Sequence, residues 1–251
     1  MSGHSHWSRI KRAKAANDAK RGQQWSKLAR RIIVAAKQGG GKADDNLTLR
    51  YAIEDAKAAN MPNDTINRAV KKGTGELATQ SYEEVVYEGY GPGGVAFLVE
   101  CLTDNRNRTA AEMRKIFEKT GGQLGSAGCV AWMFQKKGSF LVSGEAGGED
   151  ALVELAVETG ADDVKADGDD FEITCDVGAF SAVKQALADR EIQTLSGELA
   201  MVPAGTVTVD ADNARKVLNL METLEDQDDV QKVYANFDIP DEVTAELPKQ
   251  E

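Results

Sequence analysis

The sequence predicts an α+β chain: an N-terminal three-helix domain followed by two α/β domains, one inserted in the other. Three observations carry this. Apolar residues recur at helical spacing as far as Gly73, short strands and helices alternate after Gly75, and a terminal strand-helix-strand run completes an earlier, unfinished one.

From Gln24 to Gln38, Trp25, Leu28, Ala29, Ile32 and Ala36 form one stripe of a helical wheel, with Lys27, Arg30, Arg31 and Lys37 opposite. The Gly39-Gly40-Gly41 triplet stops this helix. A second opens with Asp45 or Asn46 as its cap and turns Leu49, Ala52, Ile53 and Ala56 inward as far as Asn60. Pro62 separates it from a third, Asn63 to Lys72, whose apolar face is Ile66, Ala69 and Val70 and whose stop is Gly73. Upstream, Lys11, Arg12, Lys14, Lys20 and Arg21 scatter round a helical wheel, and only Trp7 and Ile10 are large and apolar. With no packing face, that stretch reads as a mobile arm that orders when a polyanion neutralises it.

After Gly75 the order is strand Val85 to Glu88, strand Val95 to Leu102, helix Asn107 to Thr120 and strand Val130 to Gln135. Next come Phe140 to Ser143, a helix 149–159, Asp163 to Lys165, Phe171 to Cys175, a helix 178–189 and Ile192 to Val202, a β-α-β-β-α-β series. Thr206 to Val209, a helix 211–224 and Val230 to Phe237 supply the β-α-β that the run from Val95 to Gln135 lacks. Residues 138–203 are therefore expected to form one ferredoxin-like unit inserted into another made of 77–137 and 204–240. Residues 1–76 form the basic arm and helical domain, and 241–251 a tail. The alternative is three domains in order with the last β-α-β packed on a neighbour, but isolated β-α-β pieces rarely bury enough surface.

Charge is segregated along the chain. Residues 1–42 carry eleven Lys or Arg against one acid, Asp18. Residues 1–76 are net +9 and the remainder net −20, within a chain of net charge −11. An acidic body cannot lie on a phosphate backbone, so a polyanion must be met at the N-terminal end. Solubility alone does not explain so one-sided an arm, because acids serve it better. The expected phosphate contacts are Lys11, Arg12, Lys14, Lys20, Arg21, Lys27, Arg30 and Arg31, with Trp7 placed to stack on a base and Trp25 in the core. Asp104-Asn-Arg-Asn-Arg-Thr109, at a strand-to-helix turn, adds Arg106 and Arg108 as a second contact. The competing reading is that Asp104 or Asn105 caps the helix and the arginines pair with nearby acids.

Other classes are disfavoured. No run of about 18 apolar residues supports a membrane span, and no apolar stretch supports a secretory signal. An Arg-rich start also suits a transit peptide, but Gly3, Trp7 and the glycine triplet read as built into a domain. Cys101, Cys129 and Cys175 are odd in number and far apart, which fits reduced cytoplasm and neither a disulfide framework nor zinc. Gly89-Tyr-Gly-Pro-Gly-Gly94 precedes a strand, and Gly39-Gly-Gly-Lys42 lacks the hydroxyl residue of a phosphate loop, so neither implies a nucleotide. Ser2-Gly3-His4 would chelate copper or nickel if Met1 were removed, as any such terminus does. His4 and His6 are the only histidines, which leaves no base for a Ser or Cys nucleophile in the body. The acidic runs Asp167 to Asp170 and Glu225 to Asp229 read as solvated loops. No enzyme, cofactor, metal or small-molecule substrate is expected.

Gly3-His-Ser-His-Trp7, Ala19-Lys-Arg-Gly22, Ala35-Ala-Lys-Gln-Gly-Gly40, Asn60-Met-Pro62, Tyr87-Glu-Gly-Tyr-Gly-Pro-Gly-Gly94, Asp104 to Thr109 and Asp228-Asp-Val-Gln231 together resemble the signature blocks of the YebC/PmpR family. The resemblance spans nearly the whole chain and departs at His6, where the family usually has lysine. It implies a cytoplasmic protein with a helical domain and two α/β domains, acting as a DNA-binding transcriptional regulator. The alternative it carries is a ribosome-associated translation factor, like the mitochondrial translational activator of cytochrome oxidase, binding rRNA or tRNA and relieving stalling at proline-rich stretches. A scaffold whose acidic units bind basic proteins leaves the arm unexplained.

Overall fold

The structure, a computed structural model, describes residues 18–78, 80–144, 148–240 and 242–243. Three helices come first: α1 (Asp18–Gly39), α2 (Leu47–Ala58) and α3 (Asn63–Gly73). There follow β1 (Glu83–Tyr90), β2 (Ala96–Thr103), α4 (Arg106–Lys119), β3 (Gln123–Leu124), β4 (Phe134–Ser143), α5 (Gly148–Thr159), β5 (Ala161–Asp167) and β6 (Asp170–Asp176). The chain continues through α6 (Phe180–Asp189), β7 (Thr194–Pro203), β8 (Val207–Thr208), α7 (Ala211–Glu225), β9 (Val230–Ala235) and β10 (Phe237–Asp238).

In the helical region Leu28, Ile32, Ile33 and Ala36 of α1 bury against Leu49, Ala52 and Ala56 of α2 and Ile66 and Ala69 of α3. The helix α1 begins six residues before its apolar stripe, because once a packed segment is nucleated each added residue costs little and gains a hydrogen bond. Asn46 is the cap of α2: its side chain accepts from the Leu49 N–H at 3.0 Å and donates to the carbonyls of Ala35 at 2.8 Å and Gly40 at 2.9 Å. One buried side chain thus closes the end of α1 and the start of α2. At Gly73, α3 crosses α1 so closely that a Cβ would sit 2.5 Å from the Ile33 carbonyl oxygen.

The second sheet has the order β5-β6-β4-β7, all antiparallel, which is the ferredoxin-like arrangement of a β-α-β-β-α-β run. Phe140, Val142, Ile173 and Cys175 on its inner face pack on Leu152 and Leu155 of α5 and Val183 and Leu187 of α6. Its elements all lie, in sequence, between β3 and β9 of the other sheet, whose order is β3-β1-β2-β9. There Phe97, Val99 and Val233 meet Met113 and Phe117 of α4 and Val217, Leu220 and Leu224 of α7. The opposite face of that sheet places Ala96, Leu98 and Tyr234 against Val130, Phe134 and Ala200, joining the two sheets through one apolar cluster.

Two strands differ from the sequence expectation. Residues 130–135, expected in the first sheet, form a short 3₁₀ turn (Ala131–Met133) and the start of β4, which pairs with β7 from Phe134 opposite Pro203. The Glu88 carboxylate takes the N–H groups of Gly128 (2.6 Å), Val130 (2.8 Å) and Ala131 (2.7 Å), so these donors are spent on a side chain instead of a strand ladder. The first sheet is completed by the β1-β2 hairpin and the two-residue β3. The strand expected at 206–209 shrinks to β8, which pairs in parallel with β10 outside the main sheet.

Candidate nucleic-acid interface

Trp7, Lys11, Arg12 and Lys14 lie outside the described residues, as does most of the arm. Lys20 and Arg21 fall on the first turns of α1. Trp25, expected in the core, is half-buried and packs against the edge of the helical core, its indole N–H donating to the Ala59 carbonyl at 3.0 Å.

The remaining cations of α1 are spent inside the protein. Helix α7 ends with its carbonyls pointing at α1, and an acidic turn follows it. Lys27 donates to the Glu225 carbonyl at 2.5 Å, and Gln23 to the Asp226 carbonyl at 2.5 Å and the Asp228 carboxylate at 3.2 Å. Arg30 donates to the Asp228 carbonyl, faces the Asp229 carboxylate at 3.4 Å and lies over the Tyr82 ring, 5.7 Å from its centroid. Cations at a helix C-terminus meet the negative end of its dipole, which favours this docking. Arg31 pairs with Asp55 of α2 at 2.9 Å.

Arg108, though half exposed, is also spent on acids of the chain itself, as the competing reading had it. Its guanidinium reaches Asp104 at 2.8 Å and Asp229 at 2.7 Å, while Asn105 caps α4 by accepting from the Arg108 N–H at 3.1 Å. Asp229 is buried, with 4% of its side chain exposed, and accepts further bonds from Thr109 at 2.8 Å and Thr103 at 3.2 Å. Burial pushes the Asp229 carboxyl up, but hydrogen bonds from Arg108 and Thr109 and the charges of Arg108 and Arg30 outweigh it and hold it below the usual carboxylate range. Two of the blocks carrying the family resemblance, Asp104 to Thr109 and Asp228 to Gln231, therefore meet at one buried carboxylate. Arg106 points its charge outward: it is exposed, and its carbonyl accepts from the Tyr87 hydroxyl at 3.2 Å.

The acidic run 225–229 is thus more than a solvated loop: it seats α1, and its last residue, Asp229, is buried although Asp226 and Asp228 stay exposed; Asp167 of the other acidic run is buried too. The sequence signal for Asp229 was faint, one of four acids in the run. Exposed cations whose side chains bond to nothing among the described residues include Lys42, Lys57, Arg68 and Lys71 in the helical region, Arg114, Lys115 and Lys119 on α4, Lys136 on β4 and Lys216 on α7. Among the described residues no helix is long and apolar enough to cross a membrane, and no group of three His, Cys, Asp or Glu is placed to hold a metal ion.

Residues 5–76 match the family model described as the TACO1/YebC protein N-terminal domain, and residues 82–237 match that described as the TACO1/YebC second and third domain. A protein of Dictyoglomus turgidum named a probable transcriptional regulatory protein is 53% identical over 248 residues, covering 98% of this chain and 100% of that one. One of the same name from Syntrophobacter fumaroxidans is 54% identical over 244 residues, 97% of this chain and 98% of its own. The crystal structure of a conserved hypothetical protein from Aquifex aeolicus, Aq1575, matches with a TM-score of 0.80 at 46% identity, over 89% of this chain and 93% of that one. With matching models over most of its length and relatives more than half identical, the chain belongs to the TACO1/YebC family.

Proposed function

We propose that this chain is a cytoplasmic, non-enzymatic transcriptional regulator that binds DNA through its basic N-terminal portion. The observation that carries this is the charge segregation: net +9 over residues 1–76 against net −20 over the rest. The names of its relatives, probable transcriptional regulatory proteins, support the same reading. In it, residues 1–76 form the binding unit, and 77–137 with 204–240 and the inserted 138–203 form a body held off the polymer by its own charge. Lys11, Arg12, Lys14, Lys20 and Arg21 neutralise phosphates and Trp7 stacks, joined by Lys42, Arg68 and Lys71 on the outside of the helical region. Lys27 and Arg30 fix the orientation of that region on the body, while Arg31 is spent on Asp55 within the region and Arg108 on Asp104 and Asp229 within the body.

The test is fluorescence anisotropy of the full chain on duplex DNA over a range of salt. Five phosphate contacts give a log affinity that falls against log salt with a slope near −4.5, roughly 0.9 per contact. Changing Lys11, Arg12, Lys14, Lys20 and Arg21 to glutamine is expected to bring the slope well toward zero, leaving at most the roughly 0.9 per contact that Lys42, Arg68 and Lys71 supply. A near-zero slope for the unaltered protein sinks the electrostatic mechanism. Equal affinity for the chain's own promoters and for random duplex of the same length removes the regulator assignment, and preferential recovery of rRNA by crosslinking in cells transfers it to the ribosome.

A further inference from the structure

Between the helical region and the two sheets lies a crevice of about 390 Å³, within the usual size range of small-ligand sites. Gln231, on β9, lines it. Both the amide nitrogen and the amide oxygen of Gln231 are buried, and neither has a hydrogen-bond partner among the described residues. Buried amides are almost always bonded, so a donor and an acceptor left together mark a place where something else bonds.

Two further groups in the crevice are unspent. Glu100 on β2 stands opposite Lys232 of β9 in the ladder, yet Lys232 is committed to the Glu198 carboxylate and to the Leu199 carbonyl at 3.1 Å. The half-buried Glu100 therefore forms no ion pair or hydrogen bond among the described residues. Burial pushes its carboxyl up, against the fields of Lys232, Lys136 and Arg31. Lys136, at the rim, is likewise without a bonded partner there, whereas Arg31 is held by Asp55.

We infer that this crevice binds a free α-amino acid as its zwitterion, with the ammonium group held by Glu100 and the Gln231 amide oxygen and the carboxylate by Lys136 and the Gln231 amide nitrogen. A simple anion would face Glu100 and a simple cation would face Lys136 and Arg31, so a ligand that carries both charged groups on one carbon satisfies the site where neither alone does. Leu199, Met201 and Phe180 supply apolar wall for a side chain. The site is separate from the basic arm, and the inference stands whether or not the chain binds DNA.

The experiment is calorimetric titration of the full chain with each of the twenty amino acids, supported by thermal melts, since a ligand that binds only the folded state raises the melting temperature. At least one amino acid is expected to bind saturably. Its N-acetyl and methyl-ester derivatives, each missing one charge, are expected to bind at least about tenfold more weakly, as are the variants Glu100→Gln and Lys136→Met. Lys115→Met, on α4, leaves the affinity unchanged. The derivatives use the unaltered protein, so a variant that misfolds does not blunt the test. Absence of saturable binding by every amino acid overturns the inference, and so does equal affinity for the derivatives.

Discussion

Replacing Asp229 with asparagine keeps the shape of the side chain and removes its charge where α1, α4 and the turn before β9 meet. The carboxylate is buried and receives Arg108 at 2.7 Å, Thr109 at 2.8 Å and Thr103 at 3.2 Å, with Arg30 at 3.4 Å. Hydrogen bonds to a charged group are worth about 1.5–3 kcal/mol each, and breaking a buried pair costs about 3–5 kcal/mol. The Arg108 side chain is 44% exposed, so water screens its half of the pair. An amide oxygen also keeps part of the two hydroxyl bonds. The expected loss is then about 2–3 kcal/mol at neutral pH. The sign of its pH dependence follows from the carboxyl being held below its ordinary value. The stabilisation is complete above the unfolded value, about 3.9, and is lost as pH falls through the lower folded value. Urea unfolding of both proteins, followed by circular dichroism at neutral and acid pH, measures the gap. It is expected to begin narrowing below about pH 4 and to close only below the lowered folded value. A gap under about 0.5 kcal/mol at neutral pH, or one that does not change with pH, refutes the reasoning.

Glu88→Leu strands three N–H groups at 128–131; it is expected to cost about 2–3 kcal/mol and to speed amide exchange in that loop, and unchanged protection there would contradict the clamp. Gly73→Ala forces a Cβ within 2.5 Å of the Ile33 carbonyl oxygen and 2.6 Å of the Ala36 Cβ, and should cost about 1–3 kcal/mol, read as a lower melting temperature. Lys27→Met combined with Arg30→Met is expected to loosen α1 from the turn after α7, seen as faster proteolysis between residues 74 and 82. The same double variant leaves the salt slope of DNA binding unaltered, and a slope reduced by about two would show that both residues touch phosphate after all.

Local pattern made the helical region legible. Trp25, Leu28 and Ile32 recur at one spacing, glycine and proline punctuate the ends, and Asn46 is a short polar side chain in the place where a cap belongs. The second sheet was legible because its strands and helices follow one another in uninterrupted chain order, a β-α-β-β-α-β run whose pairing is set by the order of the elements even where β4 meets β7 some sixty residues on. Residues 130–135 misled because their apolar run has the composition of a strand, while the group that claims their N–H donors, Glu88, lies some forty residues earlier. Likewise, nothing local distinguishes Asp229 from Asp226 or Asp228. Its burial depends on Arg108 and Thr109 being carried to it by a helix 120 residues away.

Where the charges sit along the chain, and which segments are amphipathic, follow from the sequence alone, because both are sums over neighbours in the chain. Which cations are left unpaired was decided by tertiary structure. Packing α1 on the end of α7 brings Lys27 and Arg30 against carbonyls and a buried carboxylate, and a charge already paired in a desolvated contact is no longer offered to solvent.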